Sequence, residues 1–266
     1  MSRQVEAQPP AAVWDPAQYG AFGDERSRPF FELVGRVPGE PRRIVDLGCG
    51  SGELTATLAR RWPEADITGI DSSPEMIAAA RAHEGGRLRF AVGDIAAWTP
   101  DGPVDLIVSN AALHWVPGHE DLLPRWTDAL TGGGRLAFQV PGNFDAPSHV
   151  ILRDLCAAPR WRDRLHGTVR TDPVRDAAGY LDLLARHGCA VDAWETTYLQ
   201  VLQGEDPVLE WVKGTALRPV LTALGPGASD DFLTEYGAQL RAAYPAAPHG
   251  TVFPFRRVFV IAERAP

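Results

Sequence analysis

The sequence predicts an α/β protein, a doubly wound and mostly parallel sheet with a helical lid inserted before the last strand. Three observations carry that prediction. Short apolar runs alternate with amphipathic stretches from residue 43 to residue 140, the pattern of parallel strands joined by helical crossovers. The first run, Arg43 to Leu47, ends in the glycine-rich loop Gly48-Cys49-Gly50-Ser51-Gly52, at the edge where open sheets of this type bind ligands. From Asp206 to Tyr244 the pattern turns helical before a final apolar run, which inserts helices between two strands.

Residues 1–12 are rich in Gln, Ala and Pro and read as a disordered tail with little to bury. Residues 13–38 read as a helical cap whose aromatic face carries Trp14, Tyr19, Phe22, Phe30 and Phe31. That face has no strand of its own to cover, so segment 13–30 is expected to close over a bound ligand. The binding core is 42–140. Its strands are placed at Arg43–Leu47, Ile67–Asp71, Leu88–Val92, Val104–Ser109 and Arg135–Val140. Between them a helix Glu53–Trp62 buries Leu54, Leu58 and Ala59 on one side. A second helix starts at Ser73 as N-cap with Pro74 in the first turn and runs to about residue 82. A third spans Asp121–Leu130 and is expected to end at Gly132-Gly133-Gly134. Residues 147–246 are expected to form a mainly helical substrate cover with one strand. The helices are Ser148–Ala157, Asp176–Arg186 and a broken set from Asp206 to Tyr244; the strand is Val191–Leu202. The last strand falls within 253–263, and 13–266 is expected to form a single domain.

Composition narrows the function. The chain of 266 residues carries a formal charge of −8, and its basic residues cluster no further than pairs such as Arg42-Arg43 and Arg256-Arg257. Such a surface repels polyanions, so nucleic acid is excluded as a partner. No stretch approaches the roughly 18 apolar residues of a membrane span, and the first residues lack the apolar heart of a signal peptide. Cys49, Cys156 and Cys189 are distant and lack metal-ligand spacing, which suits reduced thiols, no metal and a cytoplasmic protein. A monomer or weak homodimer is expected.

The glycine loop is spaced GxGxG. A nicotinamide fingerprint needs a third glycine at position 53, where this chain has Glu53. A carboxylate at that helix start also opposes a pyrophosphate, whereas a cofactor with an amino group and a sulfonium suits it. Asp71, at the end of the second strand, can accept both hydroxyls of a ribose. Asp94 and Ile95, after the third, can receive an adenine amino group and offer a backbone N–H to the ring, and Met76 can pack on its face. Singly, Asp71 could serve only a helix start and Asp94 only a turn. Together they mark the carboxyl ends of successive strands.

This arrangement resembles the class I, Rossmann-like methyltransferases that use S-adenosylmethionine and release S-adenosylhomocysteine. The resemblance covers 43–140. It implies cofactor-binding roles for Asp46, Gly48, Cys49, Gly50, Gly52, Asp71, Ser72, Met76, Asp94, Ile95 and Asn110. A narrower resemblance spans nearly the whole chain. It is carried by Trp14-Asp15-Pro16-Ala17-Gln18-Tyr19, Glu25-Arg26-Ser27-Arg28-Pro29, Asn110-Ala111-Ala112-Leu113-His114-Trp115-Val116-Pro117, Gln139-Val140-Pro141-Gly142-Asn143 and Leu217-Arg218-Pro219. These segments are similar to the trans-aconitate 2-methyltransferase family, which makes a monomethyl ester of a small tricarboxylic acid. His114 stands where that family suggests glutamine, and Phe144 where it suggests tryptophan.

A carboxylate acceptor is already ionised at neutral pH, so its oxygen needs no general base and no catalytic side chain is expected. Tyr19, His114 and Trp115 are positioning candidates. The remaining carboxylates of a small anionic metabolite call for arginine forks and neutral donors. Candidates are Arg26, Arg218, Arg256, Arg257, Gln139 and Asn143. The alternatives are a methyltransferase for another small acid or a phenol, with His114 as base, and a non-catalytic S-adenosylmethionine-binding protein. A nicotinamide dehydrogenase is disfavoured by Glu53.

Overall fold

The computed structural model describes residues 23–169 and 174–266, with side chains from residue 27 onward. In chain order the elements are α1 (Gly23–Gly35), β1 (Arg43–Leu47), α2 (Glu53–Arg61), β2 (Asp66–Asp71), α3 (Pro74–Ala80), β3 (Leu88–Val92), β4 (Val104–Asn110), α4 (Leu122–Asp128) and β5 (Leu130–Pro141). Then follow α5 (Pro147–Ala157), α6 (Arg162–Leu165), α7 (Ala177–Arg186), β6 (Cys189–Leu202), α8 (Pro207–Lys213), α9 (Arg218–Leu224), α10 (Ala228–Ala243), β7 (Ala246–Ala247) and β8 (Gly250–Arg264). Two compact units emerge. A core unit holds the described residues of Pro16–Asn143, Val174–Leu199 and Pro254–Pro266; a second holds those of Phe144–Pro173 and Gln200–Phe253.

In the core unit the strands lie in the order β3-β2-β1-β4-β5-β8-β6. Strands β1 to β5 pair in parallel and β8 runs antiparallel to β5. The sequence order reverses between β1 and β4, so the loops leaving these strands face one another at the sheet's carboxyl edge. Strand β1 is buried along Ile44–Leu47, as expected of a central strand covered on both faces. The start of α3 follows the N-cap rule: the Ser73 hydroxyl accepts from Met76 N at 3.2 Å, and Pro74 takes the first helical position.

Helix α1 is anchored in this unit. Phe30, Leu33, Val34 and Val37 are buried in one cluster with Ile44, Ala137, Tyr198 and Phe259. Tyr198 donates its hydroxyl to Glu32 Oε2 at 2.6 Å. Burial and that carboxylate push the Tyr198 phenol up. Phe30, Leu33, Val34 and Val37 therefore have partners, among them Tyr198 of β6 and Phe259 of β8, whereas Phe31 of the expected face is half exposed. The stretch 13–22 of the expected lid lies outside the described residues.

Helix α4 is shorter than expected, and the three glycines do not end it. Gly132-Gly133-Gly134 lie inside β5, because Val104 pairs with Leu130 and the register slips before Leu106 meets Arg135. Gly133 takes φ +77° in that irregularity, a conformation costly for any other residue.

In the second unit α10 packs beside α5. Tyr236 donates its hydroxyl to Ser148 O at 2.8 Å, and the Tyr244 hydroxyl accepts from Ser148 N at 3.1 Å. Trp161 Nε1 donates to Glu235, and Arg241 grips Asp206 with both carboxylate oxygens in reach. Pro219 occupies the first turn of α9, where it needs no N–H partner. Among the described residues no helix is long and apolar enough to cross a membrane.

Candidate active site

The loop after β1 is fastened to β2. Gly48 N and Cys49 N both donate to Ile70 O, at 2.7 and 3.1 Å. Gly48 takes φ +84°, and a Cβ built there would stand 2.2 Å from that of Ala112, so the loops after β1 and β4 touch only because this residue has no side chain. Gly50 is different. It takes φ +57°, and nothing lies within 4 Å of where its Cβ would be, which leaves open space against the backbone. Its N–H donates to Asp71 Oδ2 at 2.9 Å.

Asp46 sits beneath this loop, 3% exposed. Thr55 Oγ1, in the first turn of α2, donates to Asp46 Oδ2 at 2.6 Å. Among the described residues Oδ1 is buried with no hydrogen-bond partner. Burial, followed by the Thr55 bond acting the other way and the nearby Asp71 charge, pushes its carboxyl up to about 7. Burial and the two carboxylates also hold the Cys49 thiol protonated, so Cys49 lines the loop without reactivity.

Asp71 ends β2 and serves two neighbours, Gly50 N through Oδ2 and Ser73 N through Oδ1 at 2.9 Å. It does steady the N-cap residue of the next helix, yet each oxygen keeps a further lone pair. Ser72 beside it is exposed, and Met76 is buried on α3. Asp71 pairs in register with Val92, and Gly93 N donates back to Asp71 O. Asp94 follows, exposed, with Oδ1 accepting from Ala96 N at 2.9 Å; its turn role is real and occupies one oxygen. Ile95 is buried. Loop, Asp71 and Asp94 are thus brought along one edge of the sheet.

The ends of β4, β5 and β8 carry the other candidates. Asn110 pairs in register with Gln139, and Pro141 with Arg257. Gln139 is wholly buried and Arg257 is 5% exposed. Ala111 takes φ +53°, unusual for a residue with a Cβ, and turns the chain into the short helix Leu113–Trp115. His114 and Trp115 face each other with ring centres 4.7 Å apart; His114 is half-buried and Trp115 is exposed. The Asn143 side chain closes the sheet edge: its Oδ1 accepts from Arg256 N at 2.7 Å and its Nδ2 donates to Arg256 O at 3.1 Å. The Arg256 guanidinium is engaged too, Nε with Gly142 O and NH1 with Glu195 Oε2. Asn143 and Arg256 therefore hold each other.

Tyr19 lies outside the described residues, and so does the side chain of Arg26. Arg218 opens α9 in the second unit. Sequence inspection missed Thr55, the partner of Asp46, and Glu195, the partner of Arg256. A hydroxyl nine residues after the motif acid is the sole trace of the first, and the second has no local signal.

These residues fit S-adenosylmethionine. The partnerless Asp46 Oδ1 suits an ammonium, the open side of Gly50 leaves room for a chain pressed against backbone, and the spare lone pairs of Asp71 suit a diol.

Comparison with known proteins agrees. A family model described as a methyltransferase domain matches residues 44–134. A trans-aconitate 2-methyltransferase of Streptomyces avermitilis is 59% identical, with 96% of this chain and 99% of that protein covered. One of Rhodococcus jostii is 54% identical over 94% of this chain and 99% of its own. A solved S-adenosylmethionine-dependent methyltransferase of Mesorhizobium loti shares the fold, with a TM-score of 0.51 at 22% identity over 91% of this chain and 99% of that one.

Proposed function

Since the chain belongs to the trans-aconitate 2-methyltransferase family, we propose that it is an S-adenosylmethionine-dependent methyltransferase that makes a monomethyl ester of a small tricarboxylic acid, trans-aconitate foremost. The observation that carries this is 59% identity over 96% of the chain, reaching well beyond the residues 44–134 that the methyltransferase-domain model matches. The cofactor, when bound, supplies an electrophilic methyl group.

The chain's own residues do the rest by holding and orienting. Asp46 and the backbone of Gly48, Gly50 and Gly52 hold the methionine part. Asp71 takes the ribose, and Asp94, Ile95 and Met76 take the adenine. The acceptor oxygen is ionised without help, so a base is dispensable and the task is alignment in a site from which water is kept. Arg218 and Arg257 are each a candidate partner for a carboxylate that is not methylated, and Tyr19, His114 and Trp115 are candidates to shape the acceptor's surroundings. The protein works in the cytoplasm as a monomer or weak homodimer, on a free metabolite and without nucleic acid or membrane.

Transfer of radiolabelled methyl across di- and tricarboxylates, with phenols as controls, tests this. Label in an ester of trans-aconitate is expected. Arg218→Ala should raise the acceptor's KM by about tenfold or more, the scale of a lost charge-assisted bond, and leave cofactor affinity intact. Label confined to phenols would overturn the substrate and leave the methyltransferase standing.

A further inference from the structure

Three buried or half-buried side chains from three strands form a line of hydrogen bonds in the core unit. Arg257 NH1 donates to Gln139 Oε1 at 3.2 Å, and Gln139 Nε2 donates to Asn110 Oδ1 at 2.6 Å. The line has a direction that chemistry fixes. A guanidinium has only N–H donors, so the end of Gln139 turned to Arg257 must be its oxygen. The other end is then its NH2, which obliges Asn110 to turn its own oxygen inward. The NH2 of Asn110 consequently points away from Gln139, at the carboxyl end of β4.

We propose that the buried charge of Arg257, relayed through Gln139, sets Asn110 as a hydrogen-bond donor for a carboxylate at the carboxyl end of β4. Gln139 is by this account a positioning residue, wholly buried, and acts through Asn110. An amide free to turn over would offer a carbonyl oxygen half of the time and repel the same ligand. Two sources supply that chemistry: the methionine carboxylate of the cofactor and a carboxylate of the acceptor. Their identity rests on the methyltransferase function proposed above.

Two nearly isosteric variants separate this from a packing role. Gln139→Glu still accepts from Arg257 but cannot donate, so Asn110 turns its NH2 inward and presents oxygen to the ligand. Asn110→Asp still accepts from Gln139 and has no N–H to offer. Melting temperature, calorimetric affinity for S-adenosylhomocysteine and the KM for trans-aconitate are measured for both. We expect both variants to melt no lower than the parent and to weaken one affinity by about tenfold or more. Loss in the calorimetric arm assigns the cofactor's carboxylate, and loss in KM with kcat held assigns the acceptor's. Both affinities within twofold of the parent, a loss in one variant alone, or a loss that accompanies a fallen melting temperature would overturn the inference. The calorimetric arm requires no turnover. A parent that leaves trans-aconitate unmethylated thus overturns the proposed substrate, and Asn110 is then judged on the cofactor arm alone.

Discussion

Asp46 is pressed between burial, which favours its protonated form, and the cationic group it is proposed to meet, which favours the charged one. In the folded protein its carboxyl titrates at about 7, against 3.8 ordinarily. Between those values the folded chain holds a proton that the unfolded chain has lost. The contribution of Asp46 to stability therefore declines as pH rises from about 4 to 7, and it stays low above that. Asp46→Asn should abolish the decline and make the ligand-free protein more stable at pH 8 than the parent, as read from denaturant melts at several pH values. Binding an ammonium should reverse the preference and expel the proton. Calorimetry at pH 6.5 with S-adenosylhomocysteine should give enthalpies that differ between buffers of unlike ionisation heat, and in Asp46→Asn they should agree. Buffer-independent enthalpies in the parent would mean that Asp46 does not receive the ammonium. Asp46 was legible in the sequence because the loop motif names it. The Thr55 hydroxyl that holds its other oxygen was not, since that contact depends on how α2 leaves the loop.

Helix α1 shows what an element's pattern reveals and what it hides. Its aromatic and aliphatic face is plain in the sequence. What covers that face is not, because the covering residues, Tyr198 and Phe259, arrive more than 160 positions later. An apolar face without a visible partner reads as a mobile lid; here Phe30 has no exposed surface at all. Phe30→Ala should destabilise the protein by about 3–5 kcal/mol, the usual result of emptying a filled core site. Amides from Phe30 to Gly35 should exchange equally slowly with and without S-adenosylhomocysteine. Ligand-dependent slowing within that stretch would mean that the closing motion expected of segment 13–30 extends into the buried part of α1. The glycine triplet after α4 hid its role for a related reason. Three glycines ordinarily punctuate a chain, and only the pairing of Leu130 with Val104 shows that a strand begins before them.

Across the whole molecule, the order of strands and helices was legible because each crossover leaves a periodic trace. The grouping of 174–199 with the core and the Arg257–Gln139–Asn110 line were not, since both arise from registers between distant strands. The same distribution of groups sets the pH behaviour of the reaction. Among the perturbed groups of the described residues, His149 is pushed down to about 4 by burial and the Arg153 charge, and Cys156 is pushed up to about 12 by burial. Burial lifts the Tyr236 phenol as well. None of these changes charge between pH 7 and 9, and the Asp46 carboxyl, pushed up to about 7, lies at the lower edge of that interval. Asp46 is proposed to act on cofactor binding, not on the acceptor oxygen. The KM for S-adenosylmethionine should therefore fall as pH climbs through about 7, while kcat at saturating cofactor stays level to pH 9, because a carboxylate acceptor is already fully ionised. A phenol, with a pKa near 10, would instead gain roughly tenfold in rate for each unit of pH below that value. A kcat for trans-aconitate that climbs in this way would require a base in the site and remove the central claim that alignment alone suffices.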